Sequence, residues 1–266
     1  LIAVLLIFSG FFVSNQYANV RAEPSATSER VTQVLFGDAV EILEEQGNFY
    51  KIQIHAQHNY EGWVHKDLVT EMTYSGDDLA DTAVFGKNTS ITMADGSKFE
   101  VYAGTMLAAE KSGTSLILLT PLGFATAEEN QASLLSLLRA KSNQETRKSI
   151  VITARQFLQK PYLWGGTVHQ GLDCSGFTYL VYRINGILIE RDAGPQYKTS
   201  TRVERTSLEP GDLVFFETYK KGASHVGVFL GGSKFIQASS SKGVIVSDLS
   251  EDYYKTRYYG TGRLIN

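Results

Sequence analysis

Leu172-Asp173-Cys174-Ser175-Gly176-Phe177 decides how this chain is read. The stretch holds the only cysteine among 266 residues. After it, Phe177, Leu180, Val181 and Ile184 recur at i, i+3, i+4 and i+7, which predicts a helix. Asn185-Gly186 supplies its stop. Cys174 therefore stands in the first turn, where the partial positive charge of the helix and its unused N–H groups favour thiolate, the nucleophilic form. A lone cysteine is more often a small buried hydrophobe. The neighbouring sequence has to decide between the two.

Upstream lies a glycine-bearing approach, Pro161-Tyr162-Leu163-Trp164-Gly165-Gly166. Before that, Ser142-x-x-Glu145 makes a capping box, and Ile150, Ala154, Phe157 and Leu158 form one apolar face of a helix that Pro161 ends. Downstream, Asp212–Phe216, Ser224–Leu230 and Lys234–Ala238 read as strands, the last two joined at Gly231-Gly232 as a hairpin. A loop centred on Gly231 pairs His225 with Gln237, and looser loops shift the pairing by one or two residues while leaving the side chains within reach. A thiol needs a base, and the base needs an orienting partner. His55, His58 and His65 lie in an earlier β-rich segment and His169 in a glycine-bearing loop, so His225 is the candidate base. The Gln237 amide oxygen can accept from one imidazole nitrogen and fix the tautomer. The Cys174 N–H and the Tyr162 hydroxyl are candidates for the oxyanion.

A net charge of −3 makes no electrostatic case for nucleic acid, and one cysteine excludes an intrachain disulfide framework and a cysteine-rich zinc site. Fourteen Tyr and fourteen Phe against five Pro fit β-rich structure. Residues 1–12 are almost continuously apolar and read as a signal-like segment, with a buried first strand as the alternative. Residues 13–70 carry short strands, with Tyr50, Ile52 and Ile54 alternating with polar neighbours. A second β-rich segment spans 71–127 and has a hairpin at Asp95-Gly96. A connecting helix is expected over 128–141, and a final domain over 142–266.

Asn19-Val20-Arg21-Ala22-Glu23-Pro24-Ser25 followed by Tyr60-Glu61-Gly62-Trp63-Val64 resembles the bacterial SH3-like barrel. We read 71–127 as a second, divergent barrel, with a plain β extension as the alternative. Asp173-Cys174-Ser175-Gly176-Phe177, Gly211–Phe216, Ser224–Val228 and Phe235–Ser239 resemble the NlpC-type cysteine peptidase family. The resemblance implies an α+β, papain-like cysteine peptidase domain preceded by two small all-β SH3-like barrels. It implies Cys174 as nucleophile, His225 as base and Tyr162 as the family's tyrosine. The family's third position is usually His; Gln237 stands there in this chain.

Two barrels ahead of the catalytic domain resemble the γ-D-glutamyl-L-diamino acid endopeptidase branch. That branch cuts stem peptides whose L-Ala amine is free. It implies that Asp173 and Ser175, with Glu29 and Tyr60 of the first barrel, bind the substrate around its ammonium. Arg191-Asp192-Ala193 is followed by Gly194 where relatives often carry Ser. The expected partners are peptidoglycan stem peptides or muropeptides, with no nucleic acid, metal or organic cofactor, and a monomer is expected. Export to the cell envelope or periplasm is the expected location, with cytoplasmic recycling as the alternative. The rival activities are an N-acetylmuramoyl-L-alanine amidase on the same framework and a non-catalytic wall-binding protein.

Overall fold

In a computed structural model, residues 6–76 and 79–265 are described. The chain divides into two compact units, Leu1–Ala140 and Lys141–Asn266. The first unit is built from two seven-stranded antiparallel sheets. Its first sheet comprises β1 (Leu6–Val13), β2 (Tyr17–Arg21), β3 (Arg30–Leu35), β4 (Ala39–Gln46), β5 (Phe49–Ile54), β6 (Tyr60–His65) and β7 (Val69–Gly76), in the order β3-β2-β6-β5-β4-β1-β7. The alternation in β5 does what its period requires: Ile52 and Ile54 are fully buried beside Val13, Val20, Val34 and Val64.

The second sheet comprises β8 (Asp81–Val84), β9 (Thr89–Met93), β10 (Lys98–Val101), β11 (Met106–Ser112), β12 (Ser115–Thr120), β13 (Gly123–Glu128) and β14 (Ser133–Leu134). Its order, β10-β9-β13-β12-β11-β8-β14, repeats that of the first sheet strand for strand. The second segment thus repeats the strand order of the first. Phe36 leaves the first sheet to enter the second core, where its ring lies 4.4 Å from that of Phe99. The Tyr102 hydroxyl donates to Gln16 at 3.2 Å.

Three boundaries read from sequence change. Residues 6–12, expected within a signal-like segment, belong to β1, which pairs with β7 along its length and with β4 at Phe11 and Phe12. Residues 1–5 of that segment lie outside the described residues. The first sheet continues through β7 beyond residue 70. The connecting helix expected over 128–141 is only α1 (Leu135–Arg139), because β13, a 3-10 turn and β14 take up the residues before it.

In the second unit, α2 (Asn143–Gln156) begins at the capping box: the Ser142 N–H donates to Glu145 Oε2 at 2.8 Å, and the Glu145 N–H to Ser142 Oγ at 3.4 Å. Ile150, Ala154 and Phe157 are buried, whereas Leu158 is exposed because the helix has already ended. Gln159, at φ +69°, turns the chain before Pro161 is reached. The short hairpin β15 (Thr167–Val168) and β16 (Gly171–Leu172) leads into α3 (Cys174–Ile184), all of whose residues are buried. Next come α4 (Ala193–Thr199), β17 (Leu213–Phe216), β18 (His225–Gly231), β19 (Lys234–Ser239), β20 (Gly243–Asp248), α5 (Asp252–Arg257) and β21 (Tyr258–Gly262). The five strands β20-β19-β18-β17-β21 form one sheet, and α3 packs on β18 and β19. The start of the central helix and the start of a central strand are thereby brought together.

Candidate active site

Asp173 caps α3, accepting from the Gly176 N–H at 2.7 Å. Its other oxygen accepts from the Gly165 N–H at 3.0 Å. Arg191, 1% exposed, clamps the same carboxylate with bonds of 2.6 and 3.2 Å and also donates to Ser175 Oγ at 3.0 Å. Ser175 in turn donates to Asp173 at 3.3 Å. The helix start is therefore held by a buried, bidentate ion pair. Gly176 permits the close approach behind it: a Cβ there would meet the Gly166 carbonyl oxygen at 2.0 Å.

Tyr162, Cys174, His225 and Gln237 line one cleft of about 590 Å³. Tyr162 is set beside the nucleophile because its segment pairs with the residue before Asp173: the Leu163 N–H donates to the Leu172 carbonyl, and the Leu172 N–H to the Pro161 carbonyl, both at 3.1 Å. The Val226 N–H acts on the Cys174 thiol, which places the thiol near the start of β18, next to His225. His225 Nε2 donates to Gln237 Oε1 at 2.5 Å. This leaves Nδ1 without a proton and able to accept one.

The hairpin register differs from the direct pairing read in the sequence. Val228 faces Ile236, so Gln237 falls opposite Gly227 and reaches His225 diagonally. The turn is centred one residue later than Gly231, with a bulge between Phe229 and Gly231. Gly227 makes the diagonal possible. A Cβ there would meet the Ile236 carbonyl oxygen at 2.7 Å and the Gln237 Cβ at 3.1 Å.

Burial, reinforced by the Asp173 charge, pushes the Cys174 thiol up to about 12, against the lowering by the Val226 and Ser175 N–H groups and by Arg191. Burial pushes His225 down to about 4, only partly offset by its bond to Gln237 and by Asp173. In the free site burial therefore opposes charge on both groups. It acts against the thiolate that the helix N-terminus favours. The Tyr162 hydroxyl is also pushed well above its ordinary value, first by burial and then by Cys174 and Asp173, so it stays a donor.

Asp173 and Ser175, expected to bind the substrate ammonium, do not line this cleft; their side chains are spent on α3 and Arg191. Glu29 and Tyr60 belong to the first unit, where Glu29 is exposed on the connection from β2 to β3 and half-buried Tyr60 opens β6 opposite Ile54. The sequence reading missed Tyr219, whose exposed ring meets Trp164 edge-on at 5.8 Å, and Thr218; both line the cleft. It also missed Ser247 and Tyr254, the partners of the Gln237 amide nitrogen. Tyr219 sits in a polar loop where no periodicity marks it. An aromatic beside Lys220-Lys221-Gly222 was the only cue.

Cysteine at a capped helix start, an imidazole on the facing strand and an amide behind it are the parts that a thiol hydrolase needs, in the unit that follows an all-β SH3-like region. A bacterial SH3 domain profile matches residues 16–70, and the profile of the NlpC/P60 family matches residues 159–263. A gamma-D-glutamyl-L-lysine dipeptidyl-peptidase of Bacillus subtilis is 31% identical over 236 residues, covering 84% of this chain and 77% of its own. The chain belongs to the NlpC/P60 family of cysteine peptidases. A gamma-D-glutamyl-L-lysine dipeptidyl-peptidase of Bacillus cereus is 29% identical over 252 residues, covering 88% and 75% of the two chains. The crystal structure of an NlpC/P60 family protein from Bacillus cereus, 24% identical, superposes with a TM-score of 0.81 over 97% of this chain and 100% of that one, so the fold is shared.

Proposed function

We propose that this peptidase hydrolyses the γ-D-Glu–diamino acid bond of peptidoglycan stem peptides whose N-terminal L-Ala is free. The observation that carries the reading is the His225–Gln237 bond in the cleft that also holds Cys174. The named activity of the two Bacillus relatives, which match most of the chain, supports the choice of bond. As dipeptidyl-peptidases they are named for releasing two residues from a chain end, which favours a free amine. A cell-envelope location belongs to the same proposal, because wall fragments arise there.

Burial disfavours charge on either group before substrate binds, and this sets the order of proton movements. His225 Nδ1 takes the Cys174 proton as sulfur attacks the γ-carbonyl carbon. The oxyanion is met by the Tyr162 hydroxyl and by the Cys174 N–H, which as the first of α3 is not used within the helix. His225 then gives its proton to the leaving amine of the diamino acid, which leaves a thioester. Water attacks the thioester with His225 again as base, freeing the γ-carboxylate and the thiol. Gln237 holds the Nε2–H tautomer throughout and contributes no charge.

Glu29 and Tyr60 are our candidates for selecting the amine, on the resemblance alone. The test is kcat/KM on L-Ala-γ-D-Glu-L-Lys and on its N-acetylated form, for the native protein and for Glu29→Gln. The free peptide should be favoured by at least about tenfold, the worth of one charge-assisted contact. Equal rates would remove the amine requirement. Selectivity unchanged in Glu29→Gln would remove that residue and leave the requirement standing.

A further inference from the structure

The Gln237 side chain has a donor end and an acceptor end of the same shape, and only one orientation serves the base. With Oε1 towards His225, the imidazole must carry its proton on Nε2 and offers Nδ1 as acceptor. With the amide reversed, its N–H would donate to Nε2, the proton would move to Nδ1, and the base would be lost. Gln237 is 1% exposed, so solvent does not choose between the two.

We propose that Ser247 and Tyr254 are positioning residues that lock the Gln237 amide and, through it, the His225 tautomer. This rests on the reading of His225 as the base. Nε2 of Gln237 donates to Ser247 Oγ at 3.0 Å and to the Tyr254 hydroxyl. Ser247 Oγ lies 3.3 Å from the Tyr254 hydroxyl and donates to it. Both residues are buried, at 4% and 9% exposed. Among the described residues, Oε1 has His225 as its one hydrogen-bonding partner.

Counting the groups shows why the pair discriminates. An amide nitrogen has two N–H donors, and the carbonyl needs only one donor facing it. In the observed orientation both N–H groups meet acceptors and Oε1 meets an N–H. Reversed, the oxygen could accept from both hydroxyls, but the nitrogen would face the single acceptor of His225 and one buried N–H would be left without a partner. Removing one hydroxyl orphans an N–H in either orientation and erases the preference. Removing both orphans two N–H groups in the observed orientation, and one N–H together with the carbonyl oxygen in the reversed one, so the preference stays erased.

The sequence carries no sign of this lock. Ser247 and Tyr254 stand 10 and 17 residues beyond Gln237, on β20 and on α5. The Tyr254 ring also packs on Phe216 and Phe235, at centroid distances of 5.3 and 4.9 Å, so Tyr254→Phe keeps the packing and removes only the hydroxyl.

The test reads the tautomer and the rate separately, in the full chain. Nitrogen-15 NMR should show His225 as the Nε2–H form in the native protein, and a mixture of the two tautomers in Tyr254→Phe and in Ser247→Ala/Tyr254→Phe. Either variant should lose about half or more of kcat with KM little changed. Gln237→Glu has no donor end to misplace, so adding Tyr254→Phe to it should cost clearly less than that. An unchanged tautomer in the single variant, or a kcat loss from Tyr254→Phe that is equal in the native and Gln237→Glu backgrounds, overturns the lock. A tautomer that changes as expected with no effect on kcat leaves the lock standing and overturns His225 as the base.

Discussion

Asp173→Asn tests whether the residue beside the nucleophile is an anchor or a substrate ligand. The substitution keeps an oxygen to cap Gly176 and removes the charge that faces Arg191. The pair is buried on both sides, with side-chain exposures of 10% for Asp173 and 1% for Arg191. Breaking such a pair by neutralising one partner costs about 3–5 kcal/mol, because the other charge stays buried without compensation. For a unit of this size that is roughly a 10–20 °C fall in Tm by calorimetry. The same change acts on the thiol with a fixed sign. Asp173 raises the Cys174 thiol and Arg191 lowers it, so Asn at 173 should bring the thiol down from about 12. Each unit of fall multiplies the thiolate at a given pH by about ten, and the rate of iodoacetamide alkylation with it. Arg191→Met is the control of opposite sign: it also destabilises, but it leaves the carboxylate alone beside the sulfur and slows alkylation. Full stability in Asp173→Asn, or alkylation shifted the same way by both variants, would refute the anchoring role.

Three further outcomes follow from the geometry. The half-buried His225 has its proton affinity lowered from 6.5 to about 4, so below pH 6.5 the unfolded chain binds a proton that the folded chain refuses. Stability should therefore fall as pH drops from about 6.5 to 4, by about 3 kcal/mol in all, and the acid limb of kcat/KM should lie near 4; a limb at the ordinary histidine value contradicts this. Gly227→Ala, whose Cβ would press on a backbone oxygen at 2.7 Å, should cost about 1–3 kcal/mol in urea unfolding and lower kcat by displacing Gln237. Gln237→Ala should reduce turnover less than His225→Ala, since an unoriented imidazole can still accept a proton; a silent Gln237→Ala would place the orienting group elsewhere.

How much of this was legible depended on how local the cause was. The α3 start was written in consecutive residues: a capping Asp173, the thiol, a small Gly176 and an apolar period running to Ile184. The meeting of His225 and Gln237 survived a shift in hairpin register, because a glycine opposite Gln237 leaves room for a diagonal contact. The clamp of Arg191 on Asp173 was not legible. Charged residues are usually solvated, and nothing in the spacing of 18 residues says that these two are buried against each other. Desolvation of the thiol was hidden for the same reason: position in a helix can be read from sequence, but depth cannot. The apolar run at the start of the chain reads as a leader, with a strand as the alternative, and residues 6–13 form β1.

The most direct test of the central claim is mass spectrometry of the products from defined muropeptides, digested by the native protein and by Cys174→Ala. The native protein should release L-Ala-γ-D-Glu from peptides with a free L-Ala, with the diamino acid as the new N-terminus, and Cys174→Ala should release nothing. Cleavage between the muramoyl group and L-Ala, or the same products from Cys174→Ala, would contradict the account.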